Sequence, residues 1–321
     1  MQEHYIAWWN LENLFNEDNN PDRSKWLQSQ LKSELKGWIT EVLNKKLSQL
    51  AKIILLMNEG IGPDILGVCE VEDKVVLEKL VAFLVPLNRN YSIALHEGPD
   101  KRGIDTAIIY DKDKFTTAEQ FTHRIVKRNT TRDIFQVNFK TVLGKDLVLI
   151  CNHWPSRMPS TYESEPYRII AGETLSYWLM RIIEIMGRDT CVMVMGDFND
   201  EPFNRALTDY ALSSNNRLKV MNSRTSPRLF NLMAELQGKG IGTINYGGPL
   251  MFDHILASRG LIKSTSPLKI KKDSAKVDIF PVMAYGSYNS PIRFGRPSSI
   301  STYNPEGFSD HFPVSVVLQE K

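Results

Sequence analysis

Asp197 and Asn199 stand in the stretch Cys191-Val-Met-Val-Met-Gly-Asp-Phe-Asn-Asp200. Its first five residues form an apolar run of the length and type of a strand buried on both faces. Gly196 lets the chain turn where a residue with a Cβ would resist. Asp197 and Asn199 are two apart and share one side of an extended segment. A carboxylate placed there accepts a proton from water, and the amide holds the water or a phosphate oxygen. Gly-Asp-x-Asn alone is also an ordinary turn. The chemical reading therefore depends on what closes the other strands.

They close in the same kind of residue. Asn10 and Glu12 alternate near the end of an aromatic strand at 4–15, between Trp9 and Phe15. Glu70 terminates the apolar run at 64–69. Asn152, His153 and Arg157 follow a buried strand at 146–151. Asp253 and His254 open a short strand, and Ser309-Asp310-His311 precedes the last one. Brought together, these ends supply several carboxylates, three amides and at least two imidazoles. Hard oxygen donors of this kind suit Mg²⁺ or Mn²⁺, whereas zinc calls for clustered His and Cys. Phosphoryl transfer needs a positioned water, a metal on a phosphate oxygen, and cations around the developing charge. Arg102, directly before Gly103 on a charged hairpin tip, and Arg157 are expected phosphate ligands. The basic tip Lys127, Arg128 and Arg132 is either a solvated turn or a polyanion contact. A Gly-x-Ser-x-Gly elbow and a Walker-type loop are both missing, which excludes serine hydrolases and P-loop triphosphatases.

The elements that carry these residues alternate. Trp26, Leu27, Leu31, Leu35, Trp38, Leu43, Leu47, Leu50 and Ile54 recur at helical spacing over 24–57, with Gly37 as an interruption. Lysines fall between them. Further helices are expected over 73–85, capped by Asp73, and over 163–186, stopped by Gly187. Strands are expected at 91–95, 106–110, within 119–138 and at the C-terminus. Residues 281–307, rich in Pro, Gly, Ser and Tyr, read as a long ordered loop. The alternation predicts one α/β domain over 1–321 with two sheets. Apolar residues make up 42% of the chain and charged ones 24%, which is enough for a large core. The net charge of +2 is too mild to argue for nucleic acid by bulk charge. Cys69, Cys151 and Cys191 fit no zinc spacing and read as buried small hydrophobes. No signal stretch or membrane-length apolar run is visible, so a cytoplasmic monomer is the default expectation.

Six motifs occur in one order: Asn10-Leu-Glu12, Ile65-Leu-Gly-Val-Cys-Glu70, Asn152-His153, Gly196-Asp197-Phe-Asn199, Phe252-Asp253-His254 and Ser309-Asp310-His311. In that order the chain resembles the endonuclease/exonuclease/phosphatase superfamily, which includes deoxyribonuclease I, exonuclease III, sphingomyelinases and inositol polyphosphate 5-phosphatases. The resemblance spans nearly the whole chain. It implies a four-layer αββα sandwich with the site at one edge of the sheets. It implies Glu70 as principal metal ligand, with Asn10, Glu12 and Asp310 nearby. Asp197 resembles the residue that orients or deprotonates the attacking water, with Asn199 as companion. His311, paired with Asp253, resembles the imidazole on the scissile phosphate. His153 resembles the acid for the leaving oxygen, with Glu97 as its carboxylate partner. His254 has no expected role. The segment Phe252-Asp253-His254 departs from the 5-phosphatase pattern.

Three functions follow. One is a metal-dependent phosphodiesterase on nucleic acid, DNA for preference. Another is a phosphatase or phosphodiesterase on a small or lipid head-group phosphate. The last is a non-catalytic binding protein of the same fold. Trp154, Tyr162, Tyr167, Arg157 and Arg168 interleave aromatics with cations and favour the first.

Overall fold

Two seven-stranded sheets pack face to face with helices outside, in a computed structural model that describes residues 1–321. The expected four-layer αββα sandwich is the observed architecture. Six strands position the site: β1 (Gln2–Leu14), β2 (Ile65–Val71), β3 (Asp146–His153), β4 (Val192–Asp197), β5 (Asp253–Ala257) and β6 (Val314–Glu320). In the first sheet β6, β1 and β2 are neighbours, followed by Asp105–Asp111 and Tyr91–Leu95. In the second, Phe115–His123 and Ile134–Thr141 lead into β3, β4 and β5. Each sheet has a parallel pair at its middle, β1 with β2 and β3 with β4.

Strand alternation builds the layers. Ile6 and Trp8 of β1, Leu149 and Cys151 of β3, Met193 and Met195 of β4, and Ile255 and Ala257 of β5 meet between the sheets in one buried cluster. The opposite-parity residues of β1, Tyr5, Ala7 and Trp9, face helix α1 (Thr40–Leu56) through Leu43, Leu47, Leu50 and Ile54. Val148, Ile150, Val192 and Val194 face helix α2 (Thr161–Met186) through Leu175 and Leu179. The helical stretch expected over 24–57, one helix or two broken at Gly37, is two helices, Lys25–Leu31 and α1, with Gly37 between them at φ +82°. Ser24 caps the first of these and Asp73 caps Lys74–Ala82. No helix is long and apolar enough to cross a membrane.

Two sequence expectations change. Lys46 is not one of the solvated lysines of α1. It lies three residues after Leu43 and four before Leu50, on the buried face, and is fully enclosed. The loop at 281–307 contains a one-turn helix at Pro281–Met283 and a short hairpin, Ala284–Tyr285 with Ser290–Pro291.

Gly196 is required by the β3–β4 pairing. A Cβ there would stand 2.7 Å from the Cβ of Asn152 and press on its carbonyl. Gly196→Ala is expected to cost about 1–3 kcal/mol of stability. Chemical denaturation of the two proteins measures this directly.

Candidate active site

The site is where the apolar rows between the sheets run out. Continuing the inward parity by two residues takes Trp8 to Asn10, Cys151 to His153 and Met195 to Asp197, and takes Ile255 back to Asp253. Register aligns three of these side by side: His153 pairs with Asp197, and Asp197 with Asp253. The C-terminal turn adds His311. Its place is fixed by Ser309, whose hydroxyl donates to the Asn10 carbonyl (2.6 Å) and accepts from the His311 amide (3.1 Å).

Asp197 is the centre of this group and is 2% exposed. One of its oxygens accepts from the Asn199 amide at 2.9 Å, and the other from Asn10 Nδ2 at 3.1 Å. The second oxygen also lies 3.8 Å from His153 Nε2 and 3.9 Å from His311 Nε2. Burial, opposed by the His311 charge and reinforced by Asp253, lifts the carboxyl to about 6. Asp253 is fully buried. It accepts from Trp8 Nε1 (3.0 Å), across the sheets, and bonds His311 Nδ1 at 2.6 Å. Burial opposes the His311 charge, but Asp253 and Asp197 outweigh it and hold the imidazole well above its ordinary range. His153 is the opposite case. Burial, together with the charges of Arg132, Arg102 and His311, pushes it well below that range and keeps it neutral.

Glu70 escapes its strand's alternation. Residues 66 and 68 of β2 face α1, and plain parity would send Glu70 the same way. A register shift between Cys69 and Val71 and a left-handed backbone (φ +61°) turn it into the site. One oxygen then accepts from the Asn13 amide at 2.9 Å, and the other lies 3.7 Å from His153 Nε2. Asp310 borders the same space with its side chain 28% exposed. Burial and the charge of Glu12 raise it to about 7, with Glu70 adding to the shift and His311 and Arg293 opposing it.

The oxygen donors fit a hard divalent cation. Glu70 and Asp310 offer carboxylates, and Asn10 keeps a lone pair on the amide oxygen that accepts from the Glu12 amide. Burial first, and the neighbouring carboxylates after it, disfavour the Asp310 charge, and a bound cation would offset both. The sign is definite. With folded values near 6 and 7 against about 4 unfolded, Asp197 and Asp310 stabilise the metal-free fold fully below about pH 4. That contribution is lost as pH rises through 6 and 7. Mn²⁺ competes with those protons. It is expected to raise the melting temperature at pH 8 and to have little effect at pH 5. Equal shifts at both values would contradict a carboxylate metal site.

Several expected site residues are placed elsewhere. Glu12 is fully buried and turned away from the ligand space. Its carboxylate accepts from Arg293 Nε (2.8 Å) and from the Phe294 (2.9 Å) and Gly295 (3.2 Å) amides, and pairs with the charge of Arg293 Nη2 at 2.7 Å. Left-handed backbone at Glu12 and Asn13 (φ +52° and +57°) breaks the alternation that would have kept it beside Asn10. Asn152 has the parity of Val148 and Ile150, so it lies on the α2 face, where its oxygen accepts from Trp154 Nε1 at 3.1 Å. Arg157 is occupied by the Asn199 carbonyl (2.9 Å), Asp200 (3.3 Å) and the Phe252 ring (4.4 Å), so it braces the Asp197–Asp200 turn. Arg102, by contrast, is not displaced from the site: it is half exposed, lies 3.6 Å from Asp100, and its charge acts on His153. Arg132 is neither solvated nor free for a polyanion: it is buried against Asp100 (2.8 Å) and the Trp154 carbonyl (2.8 Å). Glu97 is exposed and does not partner His153, whose Nδ1 has no partner. His254 faces α2 and bonds the Asp200 carbonyl at 2.9 Å.

Sequence reasoning missed Arg293, Lys46 and Trp8. Trp8 had a signal in its inward parity. Lys46 had one in its helical phase. Arg293, inside an irregular segment, had none.

Fold and site together define a phosphoesterase scaffold. The Endonuclease/Exonuclease/phosphatase family profile matches residues 5–320, and the chain belongs to that family. No curated protein sequence matches the chain. Solved structures with the same fold include D. rerio TDP2 complexed with single strand DNA product, at 14% identity and TM-score 0.59, covering 99% of this chain and 100% of that one. A mannosyl-6-phosphatase of Bacteroides thetaiotaomicron matches at 16% identity and TM-score 0.58, covering 98% and 99%. The human nocturnin catalytic domain matches at 16% and 0.56, covering 99% and 95%.

Proposed function

We propose that this protein is a Mg²⁺- or Mn²⁺-dependent phosphodiesterase that cleaves nucleic acid, with DNA as the preferred substrate. The observation that carries the reading is the row of ligand atoms from Asp197, Asp253 and His311, all within 4.8 Å of one another. It sets a buried base beside an imidazole held charged. Asp197 takes a proton from water as the water oxygen attacks phosphorus. Asn199 fixes Asp197 through its amide, and its own Nδ2 is spent on the Trp154 carbonyl (3.0 Å), which leaves its Oδ1 to accept from the same water. His311 donates from Nε2 to a phosphate oxygen and offsets the charge that gathers there. His153, held neutral, serves as a hydrogen-bond donor and not as the expected acid for the leaving oxygen. The bond from phosphorus to the leaving oxygen breaks, and that oxygen collects a proton from His311 or solvent. Glu70, Asp310 and Asn10 would hold the metal. When bound it polarises the phosphoryl group and neutralises part of its charge.

Nucleic acid is favoured because the site opens onto a cleft with two exposed tyrosines and an arginine, and because a relative of the same fold was solved with a DNA strand. The mannosyl-6-phosphatase relative makes phosphomonoesters the second reading. Supercoiled plasmid, bis-p-nitrophenyl phosphate and mannose 6-phosphate, each with Mn²⁺, separate the two. Plasmid nicking is expected. Release of phosphate from the sugar with the plasmid intact would overturn the reading.

A further inference from the structure

Next to Asp310 lies a cleft of about 510 Å³ between the turn at 244–246 and the segment 285–304. Its wall includes Asn245, Tyr246, Tyr285, Arg293 and Asn304. Tyr246 and Tyr285 are 68% and 60% exposed, so their ring faces are open. Tyr246 lines the same cleft as Asp310, which places the ring beside the candidate metal ligands. Arg293 is the one cation on this wall. It stands 3.7 Å from Asp310 with its side chain 44% exposed. Two of its nitrogens are tied to Glu12; Nη1 has no partner.

The tie is a built one. Glu12 is enclosed, with Lys46 Nζ 3.9 Å behind it, and that ammonium donates to the Phe308 carbonyl at 2.6 Å. Through Glu12 the end of β1 clamps Arg293, Phe294 and Gly295 at once. A mobile arginine on an irregular segment is thereby fixed at the cleft mouth, with less rotamer entropy to lose on binding.

We infer that this cleft is the subsite for the nucleoside adjoining the scissile phosphate. Arg293 donates to a phosphate oxygen, Tyr246 stacks on the base, and Glu12 is a positioning residue for Arg293 and not a metal ligand. The inference rests on the nucleic-acid reading above. It names chemistry that suits a nucleotide: an aromatic face for a base, amides for its polar edge and a held guanidinium for the phosphate.

Fluorescein-labelled hexathymidylate, titrated onto the Asp197→Asn protein with Mn²⁺ and followed by anisotropy, tests it without turnover. Arg293→Gln and Tyr246→Ala are each expected to weaken binding about tenfold, and Tyr246→Phe to preserve it. Glu12→Gln is expected to weaken strand binding and to add nothing once Arg293 is already Gln. Mn²⁺ affinity by calorimetry is expected to be unchanged in Arg293→Gln. Tight strand binding that neither Arg293→Gln nor Tyr246→Ala alters would overturn the subsite and leave the nuclease reading intact. Loss of Mn²⁺ binding in Glu12→Gln, with or without Arg293, would restore Glu12 as a ligand and overturn its positioning role. Absence of both binding and cleavage of the strand by the unaltered protein would overturn the nuclease reading, and the subsite with it.

Discussion

Asp197→Asn is expected to lower kcat by about 10²- to 10⁴-fold, the range for a positioned general base. The isosteric amide retains the bond from the Asn199 amide to Oδ1. It cannot accept the proton of the attacking water. KM is expected to move little, because the group is 2% exposed and acts on the water more than on the substrate. The same change removes a carboxylate that burial and Asp253 disfavour, so the metal-free variant is expected to melt a few degrees higher at pH 7. Lost activity combined with gained stability distinguishes a chemical role from a damaged fold. A variant that loses activity and stability together would count against this assignment. In the native protein the rising limb of the pH–rate profile should lie above the ordinary aspartate range, reporting the raised carboxyl.

His311→Gln is the second large effect, expected at about 10²- to 10³-fold in kcat, as for loss of one preorganised donor to a developing oxyanion. Asp253→Asn refines it. The Asp253 carboxylate does most to keep His311 charged against the effect of burial, and its removal lets the imidazole fall back toward its ordinary range. The expected outcome is an activity that survives at pH 6 and falls away by pH 8, where the native protein is still active. A uniform loss at all pH values would mean that Asp253 matters only through its bond to Trp8. Steady-state rates on bis-p-nitrophenyl phosphate between pH 5 and 9 decide between these outcomes.

Strand parity carried most of the site. Continuing the inward rows that end at Trp8, Cys151 and Met195 leads to Asn10, His153 and Asp197; the register sets His153 beside Asp197, and the Asn10 amide reaches Asp197 from the other sheet. The readings fail where the backbone leaves that pattern. Glu12 and Asn13 are left-handed, so a carboxylate two residues from Asn10 is turned to the Arg293 segment. Glu70 is left-handed as well, and there the break brings a residue of the wrong parity into the site. Asn152 was misplaced for the converse reason: its backbone is regular, and its parity is that of the α2 face. Arg157, expected as a phosphate ligand, Arg132, read as a solvated turn or a polyanion contact, and Arg168, read as favouring nucleic-acid contact, share one outcome. Each is spent on a carboxylate or carbonyl of the loops behind the site. Long-range pairings of this sort depend on loop paths that local pattern does not encode. Lys46 is an exception, since the helical phase of α1 already directs it inward.

The central claim is hydrolysis of a phosphodiester that needs both a divalent metal and Asp197. Nicking of supercoiled plasmid by the native protein with Mn²⁺, by the native protein with EDTA, and by Asp197→Asn with Mn²⁺ tests it most directly. The account predicts nicking in the first reaction alone. Equal nicking in the presence of EDTA, or by Asp197→Asn, would contradict it.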